Sequence, residues 1–580
     1  FYNLLRNMTM NFMMEKLKKH WILSVLLIIG FFLRIWNLGT QSLWFDESIS
    51  SIAALALLEK GRPVFDSGFL YSRAILNTVF IAASFKIFGV SEFAGRFPSV
   101  IFGVLTIGLV YVIGTKWGNK RVGIIAAILL TFSVWEIAWS RQARMYQQLQ
   151  FFYILSLYLF YELWASKNIR ILLTLGLSFA AALLSHIFGY SLLVIFLLYL
   201  VLYYCIENRG KILSKKIDWK KNIFPLAIAG LCLLILAKNL DIIFNVLHTK
   251  VNYYDNYIYL LKKDLGLFLF LAVPGGTVIV EKNWKKGLLL ILAIVLPLYF
   301  IFFHVLLFAT RYLYFVTPLL FLLIGFFLDF LISFLQKQLE RVYFQTSGTR
   351  NSAKPGFMSR ALKRISISKV STSDKQNLSK KPNVVKRDRK FINRKFLRKN
   401  ISMIFIFSIL ICSLHYSSAF TFTPKTYYDL GVNAPQSNFK EAYACVKANW
   451  SENDVIISAW TAPAKYYLGK NDYWLAFNVD GRGAENYLNE GTSQDVYTNA
   501  SAIKDVQELG AVINNSERGW IVVDNLAWQK LSSDIKNYIN KYTRQEMSTK
   551  SVKVYSWNSS TFPSFGLFKT PSKESVLKQN

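Results

Sequence analysis

The chain has 580 residues, and its 67 Lys and Arg against 34 Asp and Glu give a formal charge of +33 in a sequence that is 53% hydrophobic and only 17% charged. With 16% aromatics, including 47 Phe and 31 Tyr, this is neither an ordinary soluble domain nor a nucleic-acid binder, whose cations would spread over polar surfaces. Cys205, Cys232, Cys412 and Cys445 show no CxxC spacing, which leaves neither a zinc site nor a disulfide framework, and no glycine-rich phosphate loop follows a strand.

The bilayer is the expected solvent. The first apolar run, Trp21 to Trp36, follows Lys16, Lys18 and Lys19. At roughly 1.5 Å per residue it crosses most of a hydrocarbon core of about 30 Å, and the lysines put its N-terminal side inside. No small-x-small cleavage site follows, so a retained anchor is expected. Further apolar runs lie near 98 to 116, 122 to 139, 149 to 165, 170 to 185, 187 to 206, 222 to 238, 265 to 280, 287 to 305, 312 to 335 and 401 to 419. By the usual length criterion they make about 11 spans.

The run Ala74 to Gly89 is short and contains Asn77, Ser84 and Lys86, which suits a membrane-surface helix better than a span. With that run lying flat, Lys116 to Arg121, Lys167 to Arg170, Arg209 to Lys221, Lys282 to Lys286 and the loop after Lys337 all fall inside. Counting it as a span inverts all of them. The loop from Lys337 to Lys399 holds 19 Lys and Arg against 3 acids, and reads as a disordered cytoplasmic topology determinant beside anionic lipid. From about Thr421 the chain turns polar. A helix-like Asn438 to Trp450, a strand-like Asp454 to Ala459, a helix-like Ala462 to Leu468 and a strand at Trp520 to Asp524 suggest a small α/β domain, outside by the same parity.

Two polar clusters could carry chemistry. Trp44-Phe45-Asp46-Glu47-Ser48 sits just outside the first span. Asp46 could simply cap the amphipathic stretch Ile49 to Leu58, with Glu47 favouring the helix's positive end, or it could be a general base for an incoming hydroxyl. The second cluster, Trp139-Ser140-Arg141-Gln142-Ala143-Arg144-Met145-Tyr146, falls on the same side. On a helix its arginines, three apart, would share a face and suit a phosphate, although ordinary boundary arginines would look the same. Ser185 to Tyr190, containing His186, marks another outer turn, and Thr310-Arg311-Tyr312 opens the tenth span.

The pattern Leu38-Gly39, Ser42-Leu43-Trp44-Phe45-Asp46-Glu47, Gly89-Val90-Ser91-Glu92, Arg96-Phe97-Pro98-Ser99, Arg121-Val122-Gly123 and Ser140-Arg141-Gln142-Ala143-Arg144-Met145-Tyr146 resembles the polyprenyl-phosphate-sugar-dependent GT-C glycosyltransferases. That superfamily includes the dolichyl-phosphate-mannose protein mannosyltransferases and the lipid A aminoarabinose transferases. The likeness covers roughly the first 200 residues and weakens beyond them. It implies a first external loop with membrane-surface helices, Asp46 as catalytic carboxylate and Glu47 as its partner. Many relatives carry Glu where this chain has Gln142, so a second acid there is not implied.

The paired acidic motifs and the Trp-Trp-Asp element of the oligosaccharyltransferases are not visible, so a metal-independent monophosphate donor fits better. Arginines would then offset the charge of a single leaving phosphate.

The expected fold is an all-α polytopic membrane protein of GT-C type with a small C-terminal α/β extracytoplasmic domain. Residues 1–335 would form the catalytic membrane module, with a first outer loop at 37–97. A basic loop at 336–400, a last transmembrane helix at 401–419 and the outer domain at 420–580 complete it. Its expected reaction is inverting transfer of a sugar from a polyprenyl phosphate to an acceptor hydroxyl of a lipid, glycan or protein, on the outer face of the plasma membrane. Asp46 and Glu47 would be catalytic. Arg144, Arg141 and Arg311 would hold the donor phosphate, and Tyr146, His186 and Tyr190 the substrate, with no metal, cofactor or nucleic acid. Two competing readings are a polytopic transporter of an anionic or lipid-linked substrate, and a membrane-anchored binding protein. A transporter needs charge at midspan, where only Arg34 and Asp329 qualify. A binding protein would leave the outer-loop clusters unexplained.

Overall fold

The computed structural model describes residues 20–207, 251–305, 308–348, 438–477, 487–489, 491–549 and 551–558, with isolated positions between 230 and 238 and between 404 and 409. The N-terminal lysines, Cys412, the basic loop from 349 to 400 and most of the runs at 222 to 238 and 401 to 419 lie outside the described residues.

The membrane part is helical: α1 (His20–Ile35), α2 (Phe45–Lys60), α3 (Ile75–Phe88), α4 (Glu92–Trp117), α5 (Lys120–Phe132), α6 (Val134–Trp139), α7 (Tyr146–Ser166), α8 (Ile169–Ser185), α9 (Ser191–Glu207), α10 (Tyr254–Lys282), α11 (Trp284–His304) and α12 (Thr317–Gly348). Two 3-10 turns, Ile187–Tyr190 and Thr310–Val316, lead into α9 and α12. Among the described residues five stretches are long and apolar enough to cross a bilayer: Glu92–Trp117, Ile187–Glu207, Leu265–Lys282, Trp284–His304 and Thr310–Gln338. The shorter apolar helices are His20–Ile35, Ile75–Phe88 and Ile169–Ser185.

The described residues therefore do not reach the eleven spans expected. The run at 122 to 139 breaks at Ser133, whose extended backbone ends α5 and whose hydroxyl accepts from Glu136 N to start α6. The break strands the carbonyls of Leu130 and Thr131, and buried Arg34 reaches across to them at 3.1 and 3.4 Å.

Tight hairpins at one end of the bundle begin with asparagine caps. Asn119, Asn168 and Asn283 each accept from the first turn of the following helix, as short polar side chains at that position do. Glycine allows α4 and α5 to touch along one seam: a Cβ on Gly114 would lie 2.7 Å from Gly123 Cα. Charges collect at the same end, where Asp329 meets Arg121 at 2.8 Å and Lys282 at 3.4 Å, and Lys285 meets Glu207 at 3.4 Å.

At the opposite end sits the C-terminal unit, a six-stranded sheet in the order β3-β2-β1-β4-β6-β5. Its strands are β1 (Val455–Ser458), β2 (Tyr473–Leu475), β3 (Ser501–Ile503), β4 (Arg518–Asp524), β5 (Arg544–Ser548) and β6 (Val552–Asn558). β3, β2, β1 and β4 pair in parallel, and β6 pairs antiparallel with both β4 and β5, flanked by helices that include Phe439–Asn449 and Thr461–Leu468. All four expected elements of this region are present; β2, β3, β5 and β6, short or partly exposed, had not been read.

This unit grips the loop that carries α2. Leu43 N donates to Tyr467 Oη at 2.7 Å, Phe439 N to Ser42 Oγ at 3.1 Å and Asn489 Nδ2 to the Ser67 carbonyl at 3.1 Å. Lys440 pairs with Glu92 at 3.1 Å and Lys465 with Asp66 at 2.9 Å. Phe45 packs at a tilt against Trp460 with ring centroids 4.3 Å apart. The stretch Ile49 to Leu58, read as amphipathic, is instead buried on most faces, because α3 covers one side and the Thr461–Leu468 helix another.

Candidate active site

The site is built at the N-terminus of α2. Trp44, with extended backbone, is the N-cap, so Asp46 and Glu47 fall in the first turn rather than at the cap. Glu47 is fully buried and spends both oxygens on neighbours. Arg96 Nε donates to Oε1 at 2.8 Å and Arg96 Nη2 to Oε2 at 2.7 Å, a bidentate fork. Ala143 N donates to Oε1 at 2.7 Å, and Trp44 N reaches Oε2 at 3.4 Å. The remaining guanidinium hydrogens of Arg96 bind the carbonyls of Leu38, Gln41 and Ser42. Glu47 thus ties the loop before α2, α4 and the 140–145 turn together, with both oxygens turned to donors rather than to solvent.

Asp46 has the opposite environment. Its side chain is 19% exposed, and only Oδ2 is approached by cations, Arg144 Nη2 at 3.5 Å and Arg311 Nη2 at 3.7 Å. Both are ion-pair distances, too long for hydrogen bonds. Among the described residues Oδ1 makes no hydrogen bond. Arg144 is fixed from the other side, because its Nη1 donates to the Asp46 carbonyl and to Ser50 Oγ, both at 2.9 Å. Burial works against the charge of Arg144, but Asp46 together with Tyr71 and Tyr146 more than restores it, so the guanidinium is a permanent cation. Arg311 lies over the Trp44 ring at 5.7 Å, and its Nε donates to Tyr146 Oη at 3.0 Å. A carboxylate with one free oxygen beside two guanidiniums can take a proton while those cations hold an anion.

Tyr146 and His186 line the same space, their rings 5.6 Å apart. His186 is driven down to about 3 by burial and by the nearby Arg144, Arg311 and Arg73, so it is a neutral wall at physiological pH. Tyr190 ends the 3-10 turn that His186 begins and is half-buried.

Arg141 departs from expectation. It donates to carbonyls at the C-terminal end of α1, Leu33 at 3.2 Å, Arg34 at 3.3 Å and Trp36 at 2.6 Å, and caps that helix instead of facing Asp46. The i, i+3 argument needed a helix, but residues 140–145 form a turn, so the two arginines diverge. Gln142 accepts from the Trp44 indole at 2.8 Å and so holds the loop before Asp46.

Sequence reasoning missed several neighbours. Arg96 was only part of a motif; a buried arginine four residues into a helix was the available signal. Arg73 is exposed and lies within electrostatic reach of His186 and of Tyr497, which is itself within reach of Asp46. Tyr497 comes from the C-terminal unit, its ring 5.7 Å from Phe45, and no local pattern could have joined the two. Among the described residues no group of three His, Cys, Asp or Glu is placed to hold a metal ion.

Residues 72–240 match the family model described as dolichyl-phosphate-mannose-protein mannosyltransferase. An uncharacterised protein of Aquifex aeolicus (strain VF5) is 29% identical over 157 residues, 26% of this chain, and the match spans 31% of that protein's length. Among solved structures, ArnT from Cupriavidus metallidurans bound to undecaprenyl phosphate aligns over 92% of this chain and 97% of its own, at 12% identity and a TM-score of 0.52. The oligosaccharyltransferase AglB from Archaeoglobus fulgidus, in complex with an inhibitory peptide and a dolichol-phosphate, aligns over 91% of this chain and 73% of its own, at 11% identity and a TM-score of 0.52. The chain is a multi-pass membrane protein with the GT-C fold.

Proposed function

We propose that this GT-C protein is an integral-membrane inverting glycosyltransferase that moves a hexosyl or pentosyl group from a polyprenyl-phosphate donor to an acceptor hydroxyl. The observation that carries the reading is Asp46, half-freed at a helix N-terminus between Arg144 and Arg311, at the bundle end away from the Arg121–Asp329–Lys282 cluster. In this reading the site and the C-terminal unit face outward from the plasma membrane and α1 enters from inside, a sidedness that the positive-inside rule supports.

In this reading Asp46 Oδ1 takes the proton of the acceptor hydroxyl, and the oxygen attacks the anomeric carbon. The bond from that carbon to the phosphate oxygen breaks on the opposite face, and the oxygen keeps the electron pair. The leaving monoester gains roughly one unit of negative charge. Arg144, Arg311 and the exposed Arg73 face that charge, which grows in the transition state and so turns binding into rate. A phosphate that draws Arg144 and Arg311 also loosens their hold on Oδ2, which leaves Asp46 free to turn toward the acceptor hydroxyl. Glu47 and Arg96 hold the loop in place. Tyr146 orients Arg311, and His186 and Tyr190 wall the sugar.

ArnT and AglB carry undecaprenyl and dolichol phosphates, and a carrier of that class is the donor lipid here, with a lipid, glycan or protein as acceptor. Against the transporter reading, the two charges expected at midspan are both engaged: Arg34 caps stranded carbonyls and Asp329 pairs with Arg121 and Lys282. The test is a transfer assay in proteoliposomes with radiolabelled polyprenyl-phosphate sugars and envelope extract. Donor-dependent label in an acceptor supports the reading, and movement of intact donor across the membrane without transfer would replace it with the transporter.

A further inference from the structure

A polar network lies buried behind the site, unused by the chemistry above. Gln147 and Gln150 of α7, Glu136 of α6, Thr106 of α4 and Tyr314 of the 3-10 turn are each at most 1% exposed. Gln150 Nε2 donates to Glu136 Oε1 at 3.0 Å and to the Tyr314 carbonyl at 2.9 Å. Gln147 Nε2 donates to Gln150 Oε1 at 2.8 Å and to Thr106 Oγ1 at 3.2 Å. The Tyr314 hydroxyl donates to Gln147 Oε1. Each amide has two hydrogens, and all four are used.

Such a network in an apolar bundle is costly unless complete, and complete it fixes one arrangement of the elements it joins. Those elements include the two that bring Arg144, Tyr146 and Arg311 to Asp46. A 3-10 turn has poor internal hydrogen-bond geometry, so Thr310–Val316 needs outside support to hold Arg311 steady. Tyr314 is three residues after Arg311, which in a 3-10 turn puts it on the same side. Its carbonyl also receives Thr317 N at the junction with α12, so Gln150 pins the turn where it changes helix type.

We propose that the Gln150–Gln147–Tyr314–Glu136 network positions Arg311 for the donor phosphate, with Gln150 and Tyr314 as positioning residues that touch no substrate. The proposal rests on the donor reading above. It is tested by binding of C55 polyprenyl monophosphate to the purified full-length protein in detergent.

Gln150→Leu, close in volume but without donors, should weaken binding at least tenfold, and Tyr314→Phe at least threefold. Both losses should vanish in an Arg311→Gln background, because a residue acting through Arg311 has nothing left to position. Losses that add in full to that of Arg311→Gln would overturn the proposal, as would wild-type affinity in the folded single variants. Should Gln150→Leu fail to fold, Tyr314→Phe carries the same test. If the wild type binds the lipid and Arg311→Gln does not, while Gln150→Leu binds normally, only the positioning role fails. If the wild type does not bind at all, the donor reading fails and takes this proposal with it.

Discussion

Arg96 and Glu47 form a two-pronged ion pair, 2.8 and 2.7 Å, with side chains 4% and 0% exposed. One residue before it, Asp46 keeps an oxygen open. Two adjacent carboxylates thus have opposite fates, one sealed as a tether and one left for chemistry, because the α2 N-terminus turns them toward different neighbours.

Breaking the tether should cost folding before it costs chemistry. Glu47→Ala leaves Arg96 buried and unpaired, a loss typically of about 3–5 kcal/mol, and Glu47→Gln leaves a neutral acceptor and a smaller loss. Thermal unfolding in detergent should rank the wild type above Glu47→Gln above Glu47→Ala. Equal melting temperatures for all three would mean the pair does not hold the loop.

Asp46→Asn keeps the shape and removes the base, so transfer should fall by about 100-fold to 10,000-fold with insertion and melting temperature near wild type. Turnover within a few-fold of wild type would take Asp46 out of the mechanism.

The three arginines should separate. Arg144→Lys and Arg311→Lys lose planar forks aimed at the phosphate position, and should each reduce kcat/KM for donor roughly tenfold or more, equivalent to about 1.4 kcal/mol. Arg141→Lys acts on the end of α1 and should lower thermal stability while leaving donor kinetics within a few-fold. Identical kinetic losses in all three variants would return Arg141 to the site.

Asp524, buried at the end of β4, accepts from Ala527 N at 2.8 Å, and burial pushes its carboxyl up to about 6 despite that bond. A carboxyl raised above its unfolded value of about 3.9 holds more protons folded than unfolded between those pH values, so its contribution to stability falls as pH rises from about 4 to about 6 and is then constant. The expected loss is about 3 kcal/mol. Asp524→Asn can still accept from Ala527 N but cannot ionise, so its stability should climb relative to wild type across that window. Denaturation at pH 4, 5, 6 and 7 reads this, and a pH-independent difference between the two proteins would contradict it.

Sidedness can be read with single cysteines in a cysteine-free background. Arg62→Cys and Thr492→Cys, both exposed at the end that holds Asp46, should react with an impermeant thiol reagent on intact cells. Lys120→Cys and Lys167→Cys, exposed at the opposite end, should react only after permeabilisation. Labelling of Lys120→Cys on intact cells would turn the site inward and defeat an outer-face reaction.

By itself the sequence determined what depends on neighbours along the chain. Hydropathy marked α1, α4 and α8 to α12 because membrane crossing is a matter of apolar length. Lysines and arginines, sorted to one side of the expected spans, gave the expectation of sidedness that the thiol labelling above tests. Val455–Ser458 and the Thr461–Leu468 helix were legible from their own periodicity. The motifs around Asp46 and Arg144 pointed to one site.

Only the tertiary structure decided what each charged group does there. A guanidinium's direction depends on the backbone of its turn and on acceptors far away in sequence, so Arg141 went to α1 and Arg144 to Asp46. Whether Glu47 is a base or a tether depended on Arg96, 49 residues away, and the turn that carries Arg311 is held by glutamines more than 160 residues before it. Hydrophobic burial is nearly additive along a chain and can be read locally. Charge placement in a low-dielectric interior is set by the few atoms within hydrogen-bond reach, and those are chosen by the fold.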